Sequence, residues 1–313
     1  MDVILDFLIV FISIIMLWKG ADWLVDSAAE IAHTLRVSDL IIGLTVVAFG
    51  TSAPEFAVTI SAAITKQSDI SIGNVIGSNI FNLGFILGGT AIIRPISTNK
   101  KMFNRDGLFL LIVTALIFFL FFGFNGWTPD DNYTRLEGLL LFSLLISYVT
   151  FLFIKKDPPE EINPSKATLQ SYIFFFIGLV SIVLGGHLMV THASNIARFY
   201  GISDWVIAVT IVAAGTSAPE FATSIAAAIK GKHGIAIGNL IGSDLFNLLG
   251  VLGLAGVINP SMITKDIFDS VFVLVLMVGL TLLLIRTKWK ISRVEGSILV
   301  SINLIRWYFD FAN

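Results

Sequence analysis

Two glutamates draw attention through their surroundings. Glu55 and Glu220 each close the string Gly-Thr-Ser-Ala-Pro-Glu, at 50–55 and again at 215–220, with Phe next in both copies. Each string lies inside an apolar run long enough to cross a membrane, so a carboxylate and a proline stand at mid-membrane depth. A carboxylate there is expensive unless something neutralises it. A proline has no N–H and leaves the carbonyl four residues back, that of Gly50 or Gly215, without its helical partner. Freed carbonyls at that depth must face protein, water or an ion. A cation beside the glutamate satisfies both groups together. Ca²⁺ takes about six to eight oxygens from carboxylates and carbonyls, and Na⁺ accepts similar ligands in smaller number. The two copies read as halves of one cation site.

A second pair of signatures follows the first. Gly73-Asn74-Val75-Ile76-Gly77-Ser78-Asn79-Ile80-Phe81-Asn82 is mirrored by Gly238-Asn239-Leu240-Ile241-Gly242-Ser243-Asp244-Leu245-Phe246-Asn247. On a helix Thr51 and Glu55 share a face, as do Ser78 and Asn82, and Ser243 and Asn247. Each half offers a carboxylate, an amide oxygen, hydroxyls and freed carbonyls. The two carboxylates carry a charge that one Ca²⁺ or two Na⁺ would neutralise. An empty doubly charged site is costly to move across a membrane and a loaded one is not, which favours exchange. The glycines of the second signature serve close helix packing. Asn74 and Asn239 read as caps or cross-links between helices. His33 and His233 read as loop residues, and His187 and His192 as interfacial ones. Asp22, Asp26 and Glu30 belong near the inner surface, with gating or ion access as the functional alternative.

The positioning elements follow from hydropathy. Of 313 residues 56% are hydrophobic and 13% charged, with mean hydropathy +0.88, which implies a polytopic all-α membrane protein. The net charge of −2 gives no basic excess for nucleic acid. The absence of cysteine excludes disulfides, thiolate metal sites and thiol catalysis. The N-terminus lacks the features of a cleaved signal and reads as the first span. Ten spans are expected, near 3–30, 40–63, 71–93, 106–124, 136–154, 170–197, 205–228, 235–258, 267–286 and 294–311. The first and sixth are overlong. Glu55 to Glu220 is an offset of 165, shared by Asn74 and Asn239, Asn82 and Asn247, and Pro95 and Pro260. About two-thirds of positions are identical between 38–64 and 203–229.

Five spans per repeat is an odd number, so the second half enters the bilayer inverted, an architecture of secondary transporters. The expected organisation is a first repeat at 1–154 (signature 48–88), a short cytoplasmic linker at 155–169, and an inverted second repeat at 170–313 (signature 213–253). With the linker inside and both termini outside, 14 of the 20 Lys and Arg fall on the inner side, as the positive-inside rule asks. The expected location is the cell membrane. The expected partners are the transported cations and the lipid bilayer, with no nucleic acid and no evident obligate protein partner.

GTSAPE with GSNIFN, then GTSAPE with GSDLFN, resembles the sodium/calcium exchanger family of the cation/calcium antiporters over the whole chain. The resemblance implies a ten-helix inverted-repeat fold with alternating access, in which the first and sixth helices slide across a core of signature helices. It implies that Glu55 and Glu220 are the principal Ca²⁺ ligands, joined by the carbonyls of Thr51 and Thr216. It also implies Na⁺ sites formed with Ala48, Ser52, Ser78, Ala213, Ser217 and Ser243, and a polar pair at Asn82 and Asn247. Well-studied members have aspartate where this chain has Asn247, while Asp244 stands where its repeat partner has Asn79. Either Asp244 reaches the site or its solvent path, or it faces a neighbouring helix as a hydrogen-bonding group.

The expectation is an antiporter that extrudes Ca²⁺ against Na⁺ at a midplane two-glutamate site, with no cofactor beyond the transported ions. A Ca²⁺/H⁺ antiporter on the same fold is the alternative, since buried glutamates can carry protons, and a cation channel is a further one. No nucleophile–base pair or HExxH string supports an enzyme.

Overall fold

The computed structural model describes residues 3–123, 128, 132–157, 167–202 and 213–312. The linker residues 158–166, Trp127, Asp130, Asp131, Ser203, Asp204 and the start of the seventh expected span lie outside them. The helices are α1 (Val3–Thr34), α2 (Asp39–Thr51), α3 (Ala53–Ile64), α4 (Ser68–Ile93), α5 (Lys100–Phe122), α6 (Arg135–Lys155) and α7 (Leu169–Phe199). They continue as α8 (Ala213–Thr216), α9 (Ala218–Ile229), α10 (His233–Ile258), α11 (Lys265–Lys288) and α12 (Arg293–Ala312).

Among the described residues, seven helices are long and apolar enough to cross a membrane: α1, α4, α5, α6, α7, α10 and α11. The pair α2 and α3, bent by 50°, makes an eighth if it is one broken span. The chain is an all-helical multi-pass membrane protein. The tenth expected span coincides with α12, whose length suits a span but which carries Arg293, Glu295, Arg306 and Asp310. α1 and α7, the overlong pair, run unbroken for 32 and 31 residues.

The chain forms two compact units, Met1–Pro54 with Lys156–Asn239, and Glu55–Lys155 with Leu240–Asn313. In the first, α1 packs along α7 and against α9. The two long helices meet backbone to backbone where a methyl at Gly20 would lie 2.9 Å from the Gly178 carbonyl, and one at Gly178 2.7 Å from that of Gly20. Without a hydrophobic drive between spans, such close approach is what makes membrane helices adhere. Leu24, Val25 and Ala28 of α1 are fully buried.

In the second unit α4 packs on α12, α5 on α11, and α6 on the latter part of α10. Two short antiparallel ribbons tie the ends of these helices. β1 (Ile96–Ser97) pairs with β4 (Lys290–Ile291), and β2 (Asn132–Tyr133) pairs with β3 (Ser261–Met262). Each ribbon joins a strand from one sequence half to a strand from the other. The repeat is legible in the boundaries themselves: adding 165 to the limits of α3 gives those of α9, and adding it to the limits of β1 gives those of β3.

Candidate functional site

The repeated strings form helix breaks. α2 ends at Thr51, Ser52 stands outside helical geometry at φ −77°, ψ 6°, and α3 begins at Ala53. In the second half Ser217 has φ −90°, ψ 10° between α8 and α9, with Pro219 in the first turn of α9. Proline fits a first turn because the N–H it lacks would have had no partner there. The break changes one expectation. Thr51 and Glu55 do not share the face of one continuous helix, because Pro54 restarts the helix between them. Glu55 and Glu220 are instead the third residues of α3 and α9. A helix N-terminus carries partial positive charge and favours a carboxylate. Both glutamates are fully buried.

Around Glu220 a hydroxyl and an amide fix the carboxylate and its backbone. Ser52 Oγ donates to Glu220 Oε1 at 3.1 Å. Asn239 Nδ2 donates to the Glu220 carbonyl at 3.3 Å and to Ser224 Oγ at 3.0 Å, while Thr51 Oγ1 donates to Asn239 Oδ1 at 3.0 Å. Thr51, Ser52, Ser224 and Asn239 are all fully buried. In the other unit Asn74 Nδ2 donates to Thr59 Oγ1 at 2.9 Å, and Ser71 Oγ to the Thr59 carbonyl at 3.2 Å. Asn74 and Asn239 are therefore cross-links between adjacent helices, as their positions suggested. Thr59 and Ser224 were missed. Each lies one turn beyond its glutamate, at i+4, and that spacing is the signal that could have found them.

A second network joins α4 to α10. Asn82 Nδ2 donates to Asp244 Oδ1 at 3.0 Å, and its repeat mate Asn247 donates to Asn79 Oδ1 at 3.1 Å. Asn79 Nδ2 also donates to the Asp244 carbonyl at 3.1 Å. Asp244 and Asn79 thus play the same acceptor part in the two halves. A carboxylate accepts and does not donate, so Asn82 must turn its nitrogen to Asp244 and its oxygen away. Asn82 Oδ1 and Asn247 Oδ1 are buried with no hydrogen-bond donor among the described residues. Buried acceptors without donors are rare enough to need an explanation, and a cation is one.

Both asparagines lie at the start of widened turns, the π-helical stretches Asn82–Leu87 and Phe246–Val251, a feature that recurs at functional sites. Ser78 is 5% exposed, and Ser243, Ser217 and Ala48 not at all. Thr216 ends α8 and Ala213 begins it.

Several other charged groups of the first unit pair with one another or with polar side chains. Lys230 pairs with Asp22 at 3.1 Å and Asp26 at 2.8 Å, tying the end of α9 to α1. Glu30 accepts from the Ser171 hydroxyl. His192, read as interfacial, lies 2.6 Å from Asp6, with Asn195 Nδ2 donating to the same carboxylate oxygen at 3.3 Å.

Comparison with known proteins gives one family. The model described as sodium/calcium exchanger protein matches residues 5–154 and 170–310. The putative antiporter CaxA of Alkalimonas amylolytica is 36% identical over 93% of this chain and 94% of its own. The sodium/calcium exchanger MaX1 of Methanosarcina acetivorans is 34% identical over 94% of this chain and 95% of its own. A solved structure of the sodium-calcium exchanger NCX_Mj, soaked with 10 mM Na⁺ and zero Ca²⁺, superposes with a TM-score of 0.85 at 33% identity. That match covers 97% of this chain and 98% of the other.

Proposed function

The chain belongs to the sodium/calcium exchanger family, and we propose that it extrudes Ca²⁺ in exchange for entering Na⁺ by alternating access. It is a membrane transporter of the antiporter type and not an enzyme. The finer reading has ten spans in two inverted five-helix repeats, 1–154 and 170–313, joined by a cytoplasmic linker at 155–169, with both termini outside. The repeat offset and the distribution of Lys and Arg support it.

The observation that carries the ion chemistry is the matched placement of Glu55 and Glu220. Each is fully buried in the first turn of a helix restarted after a serine break. Under this reading the two carboxylates are shared ligands for which Ca²⁺ and Na⁺ compete. The carbonyls of Thr51 and Thr216 join them for Ca²⁺. Ala48, Ser52, Ser78 and their mates Ala213, Ser217 and Ser243 contribute oxygens for Na⁺. Asn82 and Asn247 add the buried amide oxygens described above, and Asp244 holds Asn82 in place. One Ca²⁺ or two Na⁺ balance the two glutamates, and the loaded protein then moves between its states more readily than the empty one.

The test is Na⁺-gradient-driven ⁴⁵Ca²⁺ flux in proteoliposomes. Glu55→Gln and Glu220→Gln should each abolish it in folded protein. Undiminished flux in both variants would sink the ligand assignment. Ca²⁺ uptake driven by a pH gradient with no Na⁺ present would replace Na⁺ by H⁺ as the counter-ion.

A further inference from the structure

Asn303 stands out in α12. It is 2% exposed on a helix most of whose neighbouring side chains are apolar. Its Nδ2 donates to the Ile80 carbonyl at 3.2 Å. It also fills the space over Gly84, where a methyl would lie 1.3 Å from the same nitrogen. Ile80 and Gly84 bracket Asn82, so one amide touches the backbone on both sides of it. Here the α ladder gives way to the π stretch Asn82–Leu87. A widened turn shifts the donor register by one residue, so a carbonyl at the junction is suited to a side-chain donor.

The other sequence half lacks this arrangement. The counterpart of α12 is α6. A methyl at Gly296 would meet the Gly88 carbonyl at 2.5 Å, and one at Gly138 would meet that of Gly253 at 2.6 Å. At the same remove from those glycines, α12 carries Asn303 and α6 carries Leu145. Where α4 has Gly84, α10 has Leu249. In the other half Leu145 covers the adjacent Gly250, where a methyl would lie 2.9 Å from its Cδ2. A glycine gap stands in both halves, and a polar side chain fills it only behind Asn82. A buried amide among apolar spans weakens packing unless it contributes something else.

We infer that Asn303 is a positioning residue for the transport site: it fixes the backbone around Asn82 so that Asn82 Oδ1 is aimed at the cation. The inference rests on the reading of Asn82 as a ligand. Asn303 itself meets no ion and acts through the backbone it holds.

Three variants test it in Na⁺-gradient-driven ⁴⁵Ca²⁺ flux, normalised to monodisperse protein. Asn82→Ala should raise the half-saturating Ca²⁺ concentration; no change there would refute the ligand reading of Asn82 and this inference with it. Asn303→Leu, which copies Leu145, should raise that concentration by about fivefold with the maximal rate within about twofold, the effect of one lost hydrogen bond. If Asn303→Leu does not fold, Asn303→Ala is measured with the same expectation. In the double variant with Asn82→Ala, the Asn303 substitution should add nothing further. A lowered melting temperature with unchanged half-saturation would leave Asn82 a ligand and Asn303 a packing residue only. A full additional shift in the double variant would equally overturn the inference.

Discussion

Replacing Asp244 separates two jobs that a buried carboxylate performs. Its Oδ1 accepts from Asn82 Nδ2 at 3.0 Å, and both residues are fully buried. Asp244→Ala removes the acceptor and leaves a buried amide N–H without it, which costs about 1–3 kcal/mol in protein interiors. Hydrogen bonds between membrane helices are worth about 0.6 kcal/mol on average and ~1.7 at most, so the lower half of the first range applies. Asp244→Asn is different, because an asparagine oxygen can accept in the same place. Asn79 already does so for Asn247 at 3.1 Å. The expected order of thermal stability in detergent is therefore wild type close to Asp244→Asn, with Asp244→Ala lower. At about 2–4 °C per kcal/mol for chains of 150–250 residues, the alanine variant should melt a few degrees earlier. Ca²⁺ flux per folded molecule of Asp244→Asn should stay within about twofold of wild type, with unchanged Na⁺ dependence. If the asparagine variant instead alters Na⁺ dependence or charge movement per cycle, Asp244 acts on the ions directly and the acceptor account is wrong. If the alanine variant melts with wild type, the hydrogen bond contributes nothing.

Ser52→Ala removes the hydroxyl that donates to Glu220 Oε1 at 3.1 Å. Hydrogen bonds to charged groups contribute about 1.5–3 kcal/mol, so the half-saturating Ca²⁺ concentration should rise about tenfold in the flux assay; an unchanged value would show that Glu220 is oriented without Ser52. Tyr133, in β2 between α5 and α6, donates from its Oη to the Leu252 carbonyl of α10 at 2.9 Å. Burial, and secondarily the Glu137 carboxylate, raises its phenol above the ordinary value. The proton that this bond needs is thus held more tightly in the folded state. The stabilisation is full below the unfolded value of about 10 and fades only as pH rises beyond it. Tyr133→Phe should lose about 1 kcal/mol of stability, by the same amount at pH 7 and pH 9, with a smaller deficit above pH 10. A deficit that grows with pH would contradict the assignment.

How much was legible beforehand depends on whether a feature is local. Pro54 and Pro219 announced the helix breaks because a missing N–H is a property of the residue alone. Apolar length announced α1, α4, α5, α6, α7, α10 and α11. The overlong first and sixth spans were visible for the same reason. The shared face of Thr51 and Glu55 failed because it assumed that the helix continued through the very proline that ends it. Thr59 and Ser224 escaped notice because a threonine or serine one turn past a motif looks like any small membrane-helix residue until Asn74 or Asn239 is seen to reach it. The part played by Asp244 was a choice between two directions around a helix. Only a partner on another span, Asn82, decides where its oxygen points. Asn303 lies on a different span from the motif whose backbone it holds, so no spacing rule could connect the two.

The internal repeat makes the departures from symmetry informative. Inverted halves with equal residues would hold Asn82 and Asn247 alike, and the sequence keeps both asparagines. Their supports are unequal. Asn247 donates to a neutral amide oxygen, and α6 offers Leu145 where α12 offers Asn303. Asn82 donates to a carboxylate and has a polar brace behind its backbone. Hydrogen bonds to charged acceptors are stronger than those to neutral ones, and a braced π turn has less freedom to revert to α geometry. Under the proposed ligand role of both asparagines, a departing ion would find the Asn247 arm readier to relax than the Asn82 arm. In a carrier whose halves interchange their roles during the cycle, such a difference makes the two exposed states unequal in energy. Both departures from the repeat lie on the Asn82 side. Under the proposed exchange, that assigns any inequality in ion affinity between the two membrane faces to Asp244 and Asn303 rather than to the matched pair Glu55 and Glu220.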